Sequence, residues 1–183
     1  MISLRRPSQN VVAAYRDARL NREPTCRPHA TVPAGFRHDT FSRSIGGAEV
    51  FGRARIGLQQ WAAHRGSGVD VFPDDVRVIE GETVAIVTRQ LGLWVLACCR
   101  IEVVVDAPGL YGFTYSTLPD HPECGYEFFH IRVVGDDVAF EIEAISRPGI
   151  PVVRFGSPVT RRLQRRATNA YLGALARFTE GSS

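Results

Sequence analysis

The chain has 183 residues, 44% of them hydrophobic and 22% charged, which fits one globular domain at roughly 100–200 residues apiece and requires no metal or disulfide staple. Its 22 basic and 19 acidic residues leave a net charge of +3, too weak to imply a nucleic-acid partner. Every basic residue is arginine, which excludes Schiff-base lysines and P-loop lysines.

Residues 1–35 are polar and broken by Pro7, Pro24, Pro28 and Pro33, and read as an N-terminal arm with one short helix from about Gln9 to Leu20. Met1-Ile2-Ser3-Leu4-Arg5-Arg6-Pro7 lacks the apolar run of a signal peptide. Residues 36–180 read as a single domain. An extended segment from Arg37 to Ser44 leads to Gly46-Gly47 and then to a predicted helix over Ala48 to His64. There Phe51, Ala54, Leu58, Trp61 and Ala62 recur at three- and four-residue steps, opposite Arg53, Arg55, Gln59 and Gln60.

Beyond Gly66-Ser67-Gly68 the period becomes two. The spacing predicts strands over Val69 to Phe72, Thr83 to Leu91, Leu93 to Val105, Tyr111 to Thr117, Tyr126 to Val134 and Val138 to Ile145. Glu80-Gly81, Ala107-Pro108-Gly109 and Gly135-Asp136-Asp137 read as tight connections, too short for parallel crossovers. Val138, Phe140, Ile142 and Ala144 alternate with Glu141 and Glu143. After Pro148 and Pro151, Ser157-Pro158 opens a long helix with the apolar stripe Val159, Leu163, Ala167, Ala170, Leu175 and Phe178. The fold class is therefore α+β: a helix-grip-like curved antiparallel β-sheet wrapped around a long C-terminal α-helix, an arrangement that leaves room for a cavity of about 300–1,000 Å³ between them.

Cys98 and Cys99 are strand neighbours and point to opposite faces, while Cys26 and Cys124 stand alone. No disulfide framework or C-x-x-C metal pair is implied, and reduced thiols point to the cytoplasm. The longest apolar stretch, Leu93 to Cys99, is far below the ~20 residues of a membrane helix.

From the strand over Tyr111 to Thr117 into the next, Gly112, Phe113, Tyr115, Thr117, Leu118, Pro119, His121, Pro122, Glu123, Gly125 and Glu127 form a pattern. It resembles Gly-Phe-x-Tyr-Gly-Thr-Leu-Pro-Gly-His-Pro-Glu-x-Gly-Glu-Glu of uncharacterised protein family 0548, a family of unknown function found in actinobacteria and plants. Ser116 and Asp120 stand where that pattern has glycines, and Tyr126 where it has the first of two glutamates. The resemblance extends to Gly47, Val50-Phe51, Arg53-Ala54, Trp61, Cys99-Arg100, Ser146-Arg147-Pro148, Gln164 and Tyr171, spanning residues 34 to 176. It implies a helix-grip, START-like fold and no particular reaction.

The loop from Leu118 to Gly125 holds His121 and Glu123 between prolines, and with Tyr115, Thr117 and Glu127 it can bring five polar groups to a cavity mouth. The catalytic candidates are His121 as acid or base, with Glu123 or Glu127 orienting it, and Tyr115. The same residues also read as a stiff turn, with His121 bonded to a carbonyl and Glu123 to an amide. The ligand-binding candidates are Trp61, Trp94, Phe113, Phe128 and Phe140 as walls, Thr117 at the mouth, and Arg100 and Arg147 as anion grips. Arg100 also reads as a cross-strand partner of Glu102. No metal or other cofactor is expected, and His130 reads as an inward core histidine. Arg161, Arg162, Arg165 and Arg166 read as a solvated helix face.

These residues support binding of a small, largely apolar organic molecule. The rival readings are a cofactor-independent cyclase, dehydratase or lyase of natural-product biosynthesis, and a structural protein with a filled cavity. Neither nucleic acid nor membrane is an expected partner, and a homodimer is compatible with the sequence.

Overall fold

The computed structural model describes residues 1–21, 32–149 and 157–181. Cys26, Pro24, Pro28 and Pro151 lie outside the described residues, as do the side chains of Val159, Arg161, Leu163 and Gln164. The elements run β1 (Ile2–Ser3), a 3-10 helix (Gln9–Tyr15), β2 (Arg37–Gly47), a 3-10 turn (Ala48–Val50), α1 (Phe51–Gln59), α2 (Ala62–Arg65) and β3 (Asp70–Phe72). They continue with β4 (Thr83–Gln90), β5 (Leu93–Ala107), β6 (Leu110–Thr117), β7 (Glu123–Val134), β8 (Asp137–Pro148) and α3 (Ser157–Glu180).

The strands form one antiparallel sheet in the order β2-β8-β7-β6-β5-β4-β3, with β1 added on β5. Two expected hairpins, at Pro108-Gly109 and Gly135-Asp136, join β5 to β6 and β7 to β8. Glu80-Gly81 is different: it lies inside the long connection from β3 to β4, where the Gly81 amide bonds to Ile101 O at 2.8 Å. The β5–β6 register slips between Ile101 and Val103. Such a bulge bends and twists a strand, which helps the sheet curve around α3.

Both faces of this sheet are covered. On the concave face Val84, Ile101, Phe113, Phe129, Ile131, Phe140 and Ile142 pack with Ala54, Leu58 and Trp61 from the short helices and with Tyr171, Leu172 and Leu175 of α3. A side chain at Gly57 would meet Leu175 and Phe178 at 2.8 Å, so this glycine sets how closely α1 approaches α3. The Thr179 hydroxyl ties the end of α3 to β2 through Ile45 O at 3.1 Å. On the convex face Val12 of the N-terminal segment seals Val87, Leu96, Cys98 and Leu118, while Tyr126, Phe128 and Ile145 pack with Val32 and Phe36. Cys98 and Cys99 thus fall on opposite faces.

The helix predicted over Ala48 to His64 is broken. Trp61 sits in the left-handed region at φ 60°, a strained setting for a bulky residue, and α2 starts immediately after it. The break lets Trp61 drop into the core, where its indole donates to Val76 O at 3.1 Å. It also turns His64 inward.

On α3, Arg162, Arg165 and Arg166 are exposed. The double change Arg162→Glu and Arg166→Glu should therefore shift folding stability by no more than about 0.5 kcal/mol in urea melts. Salt-dependent binding of nucleic acid by the native protein, abolished by that change, would contradict a solvated role.

Candidate functional site

Tyr115 and Glu127 face each other directly across β6 and β7, and the Tyr115 hydroxyl donates to Glu127 Oε2 at 2.6 Å. Pairing of Gly125 with Ser146 brings β8 alongside, and Ser146 donates to Glu123 Oε2 at 3.0 Å. A side chain at Gly125 would collide with Ile145 O, so only glycine permits this approach. The loop between the strands turns at Asp120, whose φ of 62° is a glycine-like conformation that aspartate tolerates.

The loop is further held from the N-terminal segment. Asn21 Nδ2 donates to Leu118 O at 2.9 Å, and Thr117 Oγ1 lies 2.6 Å from Asn21 Oδ1 while accepting the Gly125 amide at 2.9 Å. His121 Nδ1 lies 2.9 Å from the Glu123 amide and 3.0 Å from its carbonyl oxygen. Accepting the amide, which can only donate, places the ring proton on Nε2.

These groups line a pocket of about 170 Å³ between the sheet and α3. Tyr115, Thr117, His121, Glu123 and Glu127 all border it, so the five polar side chains that the sequence motif groups together do converge. Ile86, Val95 and Ala97 supply apolar wall, and Thr168 and Tyr171 supply the helix side. The pocket is smaller than the expected 300–1,000 Å³ because the widest part of the interior is filled. Phe129 stacks on Phe113 with centroids 5.3 Å apart, and the His64 ring lies 4.8 Å from Phe129 and 4.6 Å from Tyr171.

Desolvation dominates the electrostatics. Burial pushes His121 down to about 3, leaving an uncharged imidazole at neutral pH. Burial, reinforced by the neighbouring Glu127 charge, pushes Glu123 up to about 7. Burial also raises Glu127, opposed by the Tyr115 hydrogen bond, and lifts Tyr115 and Cys99 well above their ordinary ranges. Among the described residues no group of three or more His, Cys, Asp or Glu is arranged to hold a metal ion. Among those residues, too, no helix is long and apolar enough to cross a membrane.

Of the eight expected ligand contacts, Thr117 alone lines this pocket. Trp61, Phe113 and Phe140 are packed in the core on the same side of the sheet. Trp94 and Phe128 lie on the convex face. Arg100 is also turned outward: its guanidinium donates to Ala18 O, Tyr15 O and Arg16 O at 2.8, 2.9 and 2.6 Å, anchoring the N-terminal segment. Arg147 stands over the Phe36 ring at 5.1 Å. His130 does not point inward; it bonds Glu141 on the other side of the sheet at 2.8 Å beside Arg132, where both border a second recess, of about 330 Å³. Cys99, Ser146, Thr168 and Tyr171 join the pocket without having been candidates for it. The odd-numbered alternation of Cys99 with Ala97, and of Tyr171 with Ala167 one turn back, carries that information once Tyr115 is known to face inward.

A family model described as a domain of unknown function, DUF1990, matches residues 20–174. A UPF0548 protein of Dictyostelium discoideum is 33% identical over 133 residues, covering 66% of this chain and 62% of that one. A second, from Deinococcus radiodurans, is 36% identical over 107 residues, covering 54% of each. The chain thus spans less than two thirds of the length of either relative. Among solved structures, Ara h 8.0201 superposes with a TM-score of 0.56 at 8% identity, covering 81% of this chain and all of that one. The protein TTHA0849 from Thermus thermophilus gives 0.55 at 13%, covering 80% and 99%. Truncated norcoclaurine synthase from Thalictrum flavum gives 0.50 at 9%, covering 81% and 94%. At these identities the likeness is one of fold, and the fold is the helix grip.

Proposed function

Since the chain belongs to the DUF1990 family, also named UPF0548, and grips its terminal helix in a curved sheet, we propose that it binds a small, largely apolar organic molecule in the pocket between them. The observation that carries this reading is the placement of His121, Glu123, Glu127 and Tyr115 on one rim of a recess whose walls are Ile86, Val95 and Ala97. Apolar walls supply affinity, and a few convergent polar groups fix orientation. Solved structures of the same fold include a protein named as a synthase, so the fold is compatible with catalysis as well as with binding.

Benzyl alcohol is a suitable neutral probe for calorimetric titration. It should bind the native protein, and Ala97→Phe, which fills the recess, should abolish the binding. Equal affinity in the two proteins would place the ligand elsewhere.

A second reading, an acid–base enzyme of the cyclase, dehydratase or lyase type, is favoured by one observation: Glu123 is poised near neutrality while His121 is not. In that reading the roles expected from sequence are exchanged. Glu123 moves the proton, His121 donates a hydrogen bond through Nε2, and Tyr115 with Glu127 holds the substrate. Glu123→Gln would then lower turnover by about 10²–10⁴-fold and leave benzyl alcohol binding in place. Unchanged turnover would remove Glu123 as the proton carrier, and absence of any turnover in the native protein would leave binding as the function.

A further inference from the structure

We propose that the tip of the β4–β5 hairpin docks the protein on the surface of an anionic lipid bilayer, with Leu4, Leu91 and Leu93 entering the lipid and nearby arginines meeting the headgroups. Leu91 and Gly92 form the whole turn, since Gln90 pairs with Leu93. Their φ angles of 51° and 83° have the signs of a type I′ turn, in which Asn-Gly is the favoured pair. A leucine there holds a strained backbone conformation. Its side chain gains nothing from the fold in return, being 80% exposed.

The tip is apolar as a unit. Leu93 is 37% exposed and Leu4 84%, and the pairing of Ser3 with Trp94 brings Leu4 to the same end of β5. A small apolar wedge that projects from the molecule suits a fluid surface, which deforms to receive it. Attachment of this kind lies on the membrane and needs no crossing helix.

Charge singles out an anionic surface. The net charge of +3 is unevenly placed: residues 1–16, 83–101 and 149–179 contain no aspartate or glutamate. Arg5 and Arg89 flank the leucines and are exposed, and among the described residues neither joins an ion pair, whereas Arg6 is held by Asp70. The end of α3 bonds through Thr179 to Ile45, late in β2, while Thr168 borders the pocket with Thr88 and Gln90. The helix therefore starts at the hairpin's end of the sheet, and its first turns add the exposed Arg162, Arg165 and Arg166. Each arginine near an anionic headgroup layer strengthens attachment. Thr88, Gln90 and Val95, just behind the tip, border the pocket, so docking brings the pocket beside the apolar phase.

Co-sedimentation of the full chain with sucrose-loaded vesicles tests this. Equimolar phosphatidylcholine and phosphatidylglycerol should carry the protein down at low salt, and pure phosphatidylcholine should do so at least about tenfold less well. Leu91→Asn should weaken binding at least about tenfold. Its urea midpoint should be unchanged or raised, because asparagine suits the left-handed turn position. Arg5→Gln combined with Arg89→Gln should also weaken binding at least about tenfold. Benzyl alcohol affinity should stay the same in Leu91→Asn, which separates docking from the ligand reading above. Failure of the native protein to sediment with the anionic vesicles, equal binding to both vesicles, or unchanged binding in Leu91→Asn would overturn the proposal. A native dimer that Leu91→Asn dissociates, with no vesicle binding, would overturn it too and make the tip an interface between copies.

Discussion

Acidification below pH 6.5 should destabilise the fold steeply, with His64 contributing about 1.4 kcal/mol per pH unit. The residue is 1% exposed, and neither ring nitrogen has a hydrogen-bond partner. Its neighbours are the rings of Trp61, Phe129 and Tyr171 at 5.0, 4.8 and 4.6 Å. Burial pushes its pKa down from 6.5 to about 3. In that interval the unfolded chain takes up a proton that the folded chain refuses, so the contribution is fully present above pH 6.5 and is lost as pH falls toward 3. The total is on the order of 5 kcal/mol, a large share of a typical domain's stability. His121 acts in the same direction. Glu123 acts in the opposite one: its raised value favours the folded state below about pH 4.5, an advantage lost as pH rises through 7. Urea melts between pH 4.5 and 7.5 should show the acid-side slope reduced in His64→Leu. Parallel curves for native and variant proteins would remove His64 as the cause.

Phe129→Ala should cost about 3–5 kcal/mol. Its side chain is 0% exposed and stands at the centre of the aromatic cluster, with Phe113 and Tyr115 each 5.3 Å away and Tyr171 at 5.9 Å. The void would lie directly behind Tyr115 and Tyr171, which already border the pocket, so the two spaces should merge. The variant should therefore unfold at lower urea and admit a bicyclic probe such as naphthalenemethanol that the native pocket excludes. A loss under about 1 kcal/mol would show that the cluster closes over the gap.

The strands from Thr83 onward were legible because alternation is strong there, and because turns such as Gly135-Asp136 leave no room for anything but antiparallel neighbours. The convergence of Tyr115, Thr117, His121, Glu123 and Glu127 was legible for the same reason: two paired strands and a short loop bring them to one place. The walls were not. Covering by Val12, Val32 and Phe36 on one side and by the helices on the other makes Phe128 and Phe129, or Trp94 and Val95, equally apolar, and period two cannot then say which face is inside. Arg100 misled because an arginine on a strand carries no sign of the carbonyls it will find, here in the N-terminal segment, far away in sequence. The break at Trp61 was hidden because its apolar spacing continues the helix that the backbone leaves.

Cys98 and Cys99, back to back through the sheet, have a practical consequence. Cys98 lies under Val12 of the N-terminal segment, and Cys99 borders the pocket. Both hold their protons tightly, Cys98 up to about 12 and Cys99 well above the usual thiol range, so alkylating reagents reach either one only when its cover opens. The two modification rates are independent clocks on adjacent residues. One times the lifting of the N-terminal segment and the other the opening of the pocket, and a bound ligand should slow the second while leaving the first running.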